Sequence, residues 1–173
     1  PNKRQDDLIR AFAAFHDLIN PDSRLLLVGS DANAPGFRLE LESLAAARGL
    51  AHRVHLAGAV GPREGLGGYY RAADVFLCLS EHEGFCVPLL EAMAFDVPVV
   101  AYRSTGVPYA MGGAGLLVRH KRYDLLAELI GLVLGDEDLR TRVVAVQQSR
   151  LQELAPEQVA AVLRNLVASL AQG

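Results

Sequence analysis

Short apolar runs alternate with longer amphipathic segments along the 173-residue chain. The spacing of strand, helix and strand implies right-handed crossover connections and a parallel sheet. We therefore predict an α/β fold, a doubly wound and mostly parallel open sheet with helices on both faces, followed by C-terminal helices. The runs typical of buried strands lie at 24–29, 54–58, 75–79, 98–102 and 114–118. The segments typical of helices are 5–19, 35–48, 66–73, the stretch from 88 onward, 123–134, 136–152 and 157–171.

The stretch after the third predicted strand carries the strongest functional signal. The chain turns at Gly84 and enters a helix near Pro88, whose missing N–H costs nothing in a first helical turn. The backbone N–H groups of Gly84, Phe85, Cys86 and Val87 would then lack helical partners and point toward one place. Such a helix start attracts phosphate or an oxygen-rich ligand.

Two carboxylates flank this helix start. Glu83 precedes the turn, and Glu91 follows it in the helix, with seven residues between them. Two glutamates at this spacing are by themselves most often solvated acids near a helix start. A carboxylate can also accept hydrogen bonds from two hydroxyls at once. Hydroxyl-binding carboxylates beside an anion-binding helix start fit a nucleotide sugar.

Two acidic clusters raise the question of a metal, and for both we predict none. Glu81, His82, Glu83 and Cys86 crowd one turn, and no second cluster completes a four-coordinate site. The acidic triplet at 136–138 begins a predicted helix, where acids suit the helix dipole.

Composition excludes several other classes of protein. Hydrophobic residues make up 51% of the chain, which argues against disorder. The net charge of −3 and the absence of a basic stripe argue against nucleic acid as a partner. No apolar run reaches the roughly 18 residues of a membrane span. The two cysteines, Cys78 and Cys86, lack a disulfide-type pattern, so we expect a reducing, cytoplasmic location.

Residues 83–93, Glu-Gly-Phe-Cys-Val-Pro-Leu-Leu-Glu-Ala-Met, resemble the signature of retaining glycosyltransferases of the GT-B fold, specifically glycosyltransferase family four. Residues 97–101, residues 114–118 and the Pro-Asn-Lys at 1–3 also resemble that family. The resemblance covers nearly the whole chain but only the C-terminal, donor-binding half of such an enzyme. Asp96 stands where the family usually has Gly, and Asp tolerates the left-handed backbone conformation.

The resemblance also implies roles for individual residues. Glu91 would hold the ribose hydroxyls, and Glu83 would hold hydroxyls of the transferred sugar. Lys3, which by itself would pass for a solvated terminal lysine, would neutralise the diphosphate leaving group. The remaining donor-binding residues that it implies are Gly84, Phe85 and Cys86, through their amides, and Val60 and Gly61, against the nucleotide base.

The resemblance implies a metal-independent, retaining enzyme without a cofactor, whose donor is a UDP-, GDP- or ADP-sugar and whose acceptor is unidentified. The alternative is a non-catalytic module that binds a nucleotide sugar or another protein. From the length we interpret residues 1–173 as a single domain, and from the missing initiator Met as part of a longer protein. The resemblance implies that this longer protein is a two-domain enzyme. We expect an N-terminal acceptor domain and one further central strand outside this chain, and no glycosyl transfer by this domain alone. The full-length enzyme could associate with the inner surface of a membrane.

Overall fold

The computed structural model describes residues 2–30, 36–61, 63 and 65–170, and all their side chains except those of residues 163 and 165–170. The strands are β1 (Leu25–Val28), β2 (Val54–Gly58), β3 (Phe76–Cys78), β4 (Val99–Tyr102) and β5 (Leu116–Val118). The helices are α1 (Gln5–Leu18), α2 (Phe37–Ala47), α3 (Leu66–Ala72), α4 (Val87–Ala94), α5 (Val107–Met111), α6 (Tyr123–Gly135), α7 (Glu137–Glu153) and α8 (Pro156–Leu170).

The element order of the described residues confirms the predicted five strands and seven helices, and the short helix α5 lies where we predicted a loop with about one helical turn. Most boundaries agree with the prediction to within one or two residues, because they are set by hydrophobic periodicity and helix caps, which are local features of the sequence. The predicted start of the second helix at Pro35 and the Pro62 position of the following Gly-rich loop lie outside the described residues. The acidic triplet begins α7 as predicted, since the Asp136 carboxylate accepts a hydrogen bond of 2.8 Å from the Leu139 N–H.

The strands form two parallel sheets rather than the single sheet that we predicted. One sheet pairs β1 with β2, and the other has the order β3-β4-β5. No strand of the described residues pairs with the second side of β1 or with the side of β3 away from β4. The prediction that a further strand lies between them stays a prediction.

Helices cover both faces of the three-stranded sheet, as predicted for a doubly wound fold. Val99 and Ala101 of β4 lie in one apolar cluster with Leu89 and Met93 of α4. Val100, between them, lies in a second cluster that contains residues of α1 and α6. This alternation is the two-residue period of a strand buried on both faces.

Helix α1 packs against both sheets. Its Ile9 shares an apolar cluster with Leu27 of β1. Its Ala11 and Phe15 share another cluster with Leu79, directly after β3. Because the two sheets share no strand pairing in the described chain, this packing joins them.

Strand β1 is less buried than its apolar sequence predicts. We expected a buried strand at 24–29, but Leu26 and Val28 are 36% and 37% exposed. Only Leu27 is buried, against α1 and α2. The reason is that α1 and α2 pack against the face of β1 that carries Leu27, whereas the described helices leave the face of Leu26 and Val28 partly open.

Helix α7 supports the turn that follows α4. The fully buried Gln147 accepts a hydrogen bond from the Val99 N–H (2.8 Å) and donates one to the Val97 carbonyl (2.9 Å). Gln148 donates to the Met93 carbonyl at 3.0 Å. Asp96 in the same turn has a φ of 58°, which confirms the expected left-handed conformation.

The helices of the described residues are all too short or too polar to cross a lipid bilayer.

The divided sheet predicts a pattern of amide hydrogen exchange. Strand β4 is paired on both sides, so all its amides should be protected, whereas amides on the open edges of β1 and β3 should exchange at least about tenfold faster. Exchange followed by two-dimensional NMR on the 173-residue chain measures this, with β4 as the internal reference. Uniform protection along β1 and β3 would contradict it and would mean that another strand pairs there in solution.

Candidate functional site

The loop after β3 and the start of α4 form the centre of the candidate site. Cys86 caps the helix with φ 62° and ψ 63°, a left-handed conformation that is unusual for a residue other than glycine. Pro88 lies in the first turn, as predicted. Within the part of the chain that the structure describes, the backbone N–H groups of residues 84–87 have no hydrogen-bond acceptor. These donors are therefore available to an anionic or hydroxyl-rich ligand.

A turn after β4 holds this loop by its backbone. The Thr105 hydroxyl accepts a hydrogen bond from the Glu83 N–H and donates one to the Glu83 carbonyl, both at 2.8 Å. The Gly106 N–H donates to the same carbonyl at 3.0 Å. The Ser104 hydroxyl donates to the Ser80 carbonyl at 2.7 Å. A Cβ atom at Gly106 would lie 1.8 Å from the Gly84 carbonyl oxygen, so only glycine fits there.

Lys3 and Glu83, both predicted site residues, form an ion pair across 80 positions of sequence. The Lys3 ammonium donates to Oε1 and Oε2 of Glu83 at 2.6 and 2.8 Å. The Glu83 side chain is 7% exposed and that of Lys3 is 55% exposed. The carboxylate is therefore fixed in the protein, while the ammonium faces solvent and can reach a second anion.

This pairing sets the charge state of both groups. Burial raises the pKa of Glu83, but hydrogen bonds from Lys3 and Ser80 outweigh it, so the pKa lies below its ordinary value. Burial lowers the pKa of Lys3, and Glu83 outweighs it in turn and raises that pKa. Both groups are charged at neutral pH.

A buried carboxylate at the start of α1 anchors the residue next to Lys3. Asp7 is 2% exposed. It accepts hydrogen bonds from Arg4 (3.0 Å), Lys121 (2.8 Å) and the Tyr123 hydroxyl (2.8 Å). Lys121 also reaches Glu81 at 3.2 Å, and the Glu81 N–H donates to the Asn2 carbonyl at 3.0 Å. The segment before α1 is thus attached to the loop that carries Glu83.

Glu91 is oriented by an aromatic pair. The Tyr70 hydroxyl donates to Oε2 of Glu91 at 2.7 Å. The Tyr70 ring stacks on Phe95, with centroids 5.4 Å apart and planes 10° from parallel. Burial, followed by the bond to Glu91, raises the pKa of Tyr70, so the phenol stays a donor. The second carboxylate oxygen of Glu91 has no protein partner in the described chain.

The two cysteines meet beneath the loop. The Sγ atoms of Cys78 and Cys86 are 3.9 Å apart, and both thiols are buried and free. The hydrogen bond from Cys86 lowers the pKa of the Cys78 thiol, and the same contact raises that of Cys86. We predicted Cys86 as a donor-binding residue through its amide, and its side chain points into the protein.

The other predicted site residues lie in loops. Gly84 and Phe85 form the surface of the loop, and the Phe85 side chain is 42% exposed. Val60 and Gly61 follow β2, in the other sheet, and the Leu66 N–H donates to the Gly61 carbonyl at 3.3 Å. No described contact joins this loop to Glu83 or Glu91, so their placement against a nucleotide base stays a prediction.

Sequence reasoning missed five residues of this site: Tyr70, Cys78, Ser104, Thr105 and Gly106. The last three carried a signal, because small polar residues and a glycine directly follow a strand at the ligand-binding edge of a parallel sheet. Tyr70 and Cys78 carried none that the local pattern could reveal.

Two clefts adjoin the site without containing its carboxylates. The larger, of about 590 Å³, is lined by Arg4, Arg10, His82 and residues of α2. The smaller, of about 460 Å³, is lined by Arg103, Thr105, Pro108 and Tyr109. Neither is lined by Lys3, Glu83 or Glu91, so a ligand of the site would be held by the N–H groups and charged side chains outside these clefts.

Sequence comparison gives a family match over most of the chain. The family profile for glycosyl transferases group 1 matches residues 1–150. A D-inositol 3-phosphate glycosyltransferase from Corynebacterium jeikeium is 39% identical over 138 residues, which are 77% of this chain and 32% of the relative. A GDP-mannose-dependent alpha-(1-6)-phosphatidylinositol monomannoside mannosyltransferase from Mycolicibacterium smegmatis is 35% identical over 146 residues, 79% of this chain and 36% of the relative. The chain spans about a third of the length of these curated relatives.

Comparison with solved structures also finds glycosyltransferases of similar fold. The C-terminal domain of a glycosyl transferase group 1 family protein (LpcC) from Francisella tularensis is 25% identical with a TM-score of 0.74, over 87% of this chain and 78% of that one. Sucrose-phosphate synthase from Thermosynechococcus elongatus is 30% identical with a TM-score of 0.75, over 97% of this chain and 43% of that one. Anabaena HepE in complex with UDP-glucose is 25% identical with a TM-score of 0.75, over 100% of this chain and 46% of that one. The chain therefore belongs to the group 1 glycosyltransferases and has the Rossmann-like domain of their GT-B fold.

Proposed function

We propose that this chain is the C-terminal, donor-binding half of a retaining, metal-independent glycosyltransferase of family four. The observation that carries the proposal is the set of free N–H groups at residues 84–87, bordered by the Lys3–Glu83 ion pair and by Glu91. These groups together offer donors for phosphate and sugar oxygens and acceptors for hydroxyls.

The proposed roles are those that the family resemblance implies, and the unused hydrogen-bonding capacity of Glu91 and of the loop amides supports them. Glu91, with one oxygen held by Tyr70, presents the other to the ribose diol. Glu83, fixed by Thr105 and Gly106, accepts hydroxyls of the transferred sugar and is not a nucleophile. The amides of Gly84, Phe85 and Cys86 meet the sugar or the phosphates, and Val60 and Gly61 lie against the base.

Lys3 serves the leaving group in this proposal. Its ammonium is exposed and already faces the loop, so it can share its charge between Glu83 and a bound diphosphate. Stabilising the negative charge that develops on a departing diphosphate lowers the barrier for glycosyl departure. Retention then fits departure and attack on the same face of the sugar, assisted by the leaving group.

The proposal also covers the donor, the opposing domain and the cellular location. The donor is a UDP-, GDP- or ADP-sugar, and the UDP-glucose and GDP-mannose named for relatives are the first to test. An opposing acceptor domain would exclude water and present the acceptor, so residues 1–173 alone should not transfer sugar. The free thiols support a cytoplasmic location, at the membrane surface if the acceptor is a lipid.

Replacing Glu91 tests the ribose assignment. Hydrogen bonds to a charged group contribute roughly 1.5–3 kcal/mol, so Glu91→Gln should weaken binding of UDP or GDP about tenfold or more in isothermal titration calorimetry. The exposed Glu42→Gln, which removes the same charge outside the site, should bind like the wild type. Equal affinity in Glu91→Gln and wild type would exclude the assignment, and no binding of any nucleotide by the wild type would favour an interaction module.

Filling the contact between Gly106 and Gly84 tests the clamp on the loop. Gly106→Ala should displace the Glu83–Gly84 backbone, lower the melting temperature and reduce nucleotide affinity. Gly68→Ala in α3, where a Cβ meets open space, is the matched control and should be neutral or slightly stabilising. Unchanged melting and binding in Gly106→Ala would show that the clamp does not position the site.

Chelation tests the metal-independent charge balance. Nucleotide affinity should be unchanged in excess EDTA, because lysine and backbone N–H groups supply the positive potential. The comparison is a calorimetric titration with and without chelator at constant ionic strength. Loss of binding that Mn²⁺ or Mg²⁺ restores would overturn the metal-independent proposal.

A further inference from the structure

Three buried ligand-type atoms meet beneath the loop after β3. The Sγ atoms of Cys78 and Cys86 and a carboxylate oxygen of Glu83 all lie within 4.8 Å of one another. The three residues come from a strand end, a loop and a helix cap, and each is 7% exposed. The sequence showed only Glu83 and Cys86 in one turn, and the fold adds Cys78.

We propose that Cys78, Cys86 and Glu83 bind a zinc ion. Two thiolates and one carboxylate form a ligand set that suits zinc rather than magnesium or calcium, which prefer oxygen alone. Three protein ligands leave the fourth tetrahedral position for water or another small ligand, as in open zinc sites.

The distance between the sulfurs fits a metal better than a disulfide. Two sulfurs at about 2.3 Å from a tetrahedral zinc are about 3.8 Å apart. The Sγ atoms of Cys78 and Cys86 are 3.9 Å apart. A disulfide requires a separation of about 2.0 Å and would have to draw the strand end and the helix cap together.

The charges around the cluster also balance. Two thiolates and the Glu83 carboxylate carry three negative charges, while Zn²⁺ and the Lys3 ammonium carry three positive ones. Lys3 contacts both oxygens of Glu83, so it can keep one of them when the metal takes the other. A neutral group of buried ions avoids the cost of an uncompensated charge.

The backbone at Cys86 gives a further reason to regard its thiol as functional. Its φ of 62° is a conformation that glycine adopts at no steric cost. Cys86 keeps its side chain despite a backbone conformation that disfavours one, and its thiol contacts the thiol of Cys78.

Cobalt titration tests the site directly. Co²⁺ added to reduced, chelator-treated protein should bind one per chain and produce thiolate-to-cobalt charge-transfer absorption in the near ultraviolet, which Zn²⁺ then removes by displacement. The proposal would be overturned if Co²⁺ produced no such absorption, or if the absorption persisted after Zn²⁺ was added in excess.

Variants identify the ligands. Cys78→Ser and Glu83→Gln should each weaken Co²⁺ binding at least about tenfold. Glu42→Gln, on the exposed side of α2, removes the same charge outside the cluster and should bind Co²⁺ like the wild type. Circular dichroism checks that each variant folds, and equal binding by folded Cys78→Ser and wild type would overturn the proposal.

X-ray absorption on the zinc-loaded wild type needs no variant. It should show two sulfur neighbours at about 2.3 Å and lighter neighbours in the remaining positions. A shell of oxygen and nitrogen only would overturn the site.

If the proposed function holds, zinc should also affect the binding of the sugar donor, and this expectation rests on that proposal. A metal that takes Glu83 competes with the transferred sugar but not with the nucleotide, so Zn²⁺ should weaken binding of UDP-glucose or GDP-mannose more than binding of UDP or GDP. Equal effects on both would overturn this competition. Because cobalt binding is measured without nucleotide, failure of the donor site and failure of the zinc site are distinguishable.

Discussion

Helix α1 packs against two sheets that share no strand pairing in the described chain, and the candidate site depends on that packing. Its apolar face contacts β1 through Ile9 and the end of β3 through Phe15. At its start, the buried Asp7 carboxylate accepts hydrogen bonds from Arg4, directly before α1, and from Lys121 and Tyr123, directly before and at the start of α6. A buried charge with three partners tolerates little movement, because losing one of them leaves it undercompensated. The position of Lys3 is therefore set by the packing of the fold.

The loop that carries Glu83 is fixed by hydrogen bonds to its backbone. Thr105 and Gly106 bond both the N–H and the carbonyl of Glu83, and Gly106 lies too close to Gly84 for any side chain. This support leaves the N–H groups of residues 84–87 without protein acceptors. The structure thus positions these donors without using them, which is what a preorganised anion site requires.

Glu83 is the residue on which the electrostatics of the site converge. Its buried carboxylate faces the Lys3 ammonium on one side and the Cys78–Cys86 pair on the other. A buried carboxylate stays ionised only when a positive charge or several donors compensate its desolvation. Lys3 does this in the chain as it stands, and a sugar hydroxyl or a metal at the same carboxylate would change how that charge is shared. Donor binding and the proposed zinc site are therefore linked through one side chain.

The sequence by itself determined the α/β class, the five strands, the helix starts and the turn into α4, because periodicity, proline and glycine act over a few residues. It also indicated Glu83, Glu91 and the N–H groups between them as one candidate site. Only the tertiary structure decided that Lys3 pairs with Glu83, that Tyr70 orients Glu91 and that Cys78 lies against Cys86. It also decided the division of the sheet and the exposure of β1. The physical reason is that these features depend on which elements become neighbours, and partners as much as 80 positions apart in the chain leave no local pattern.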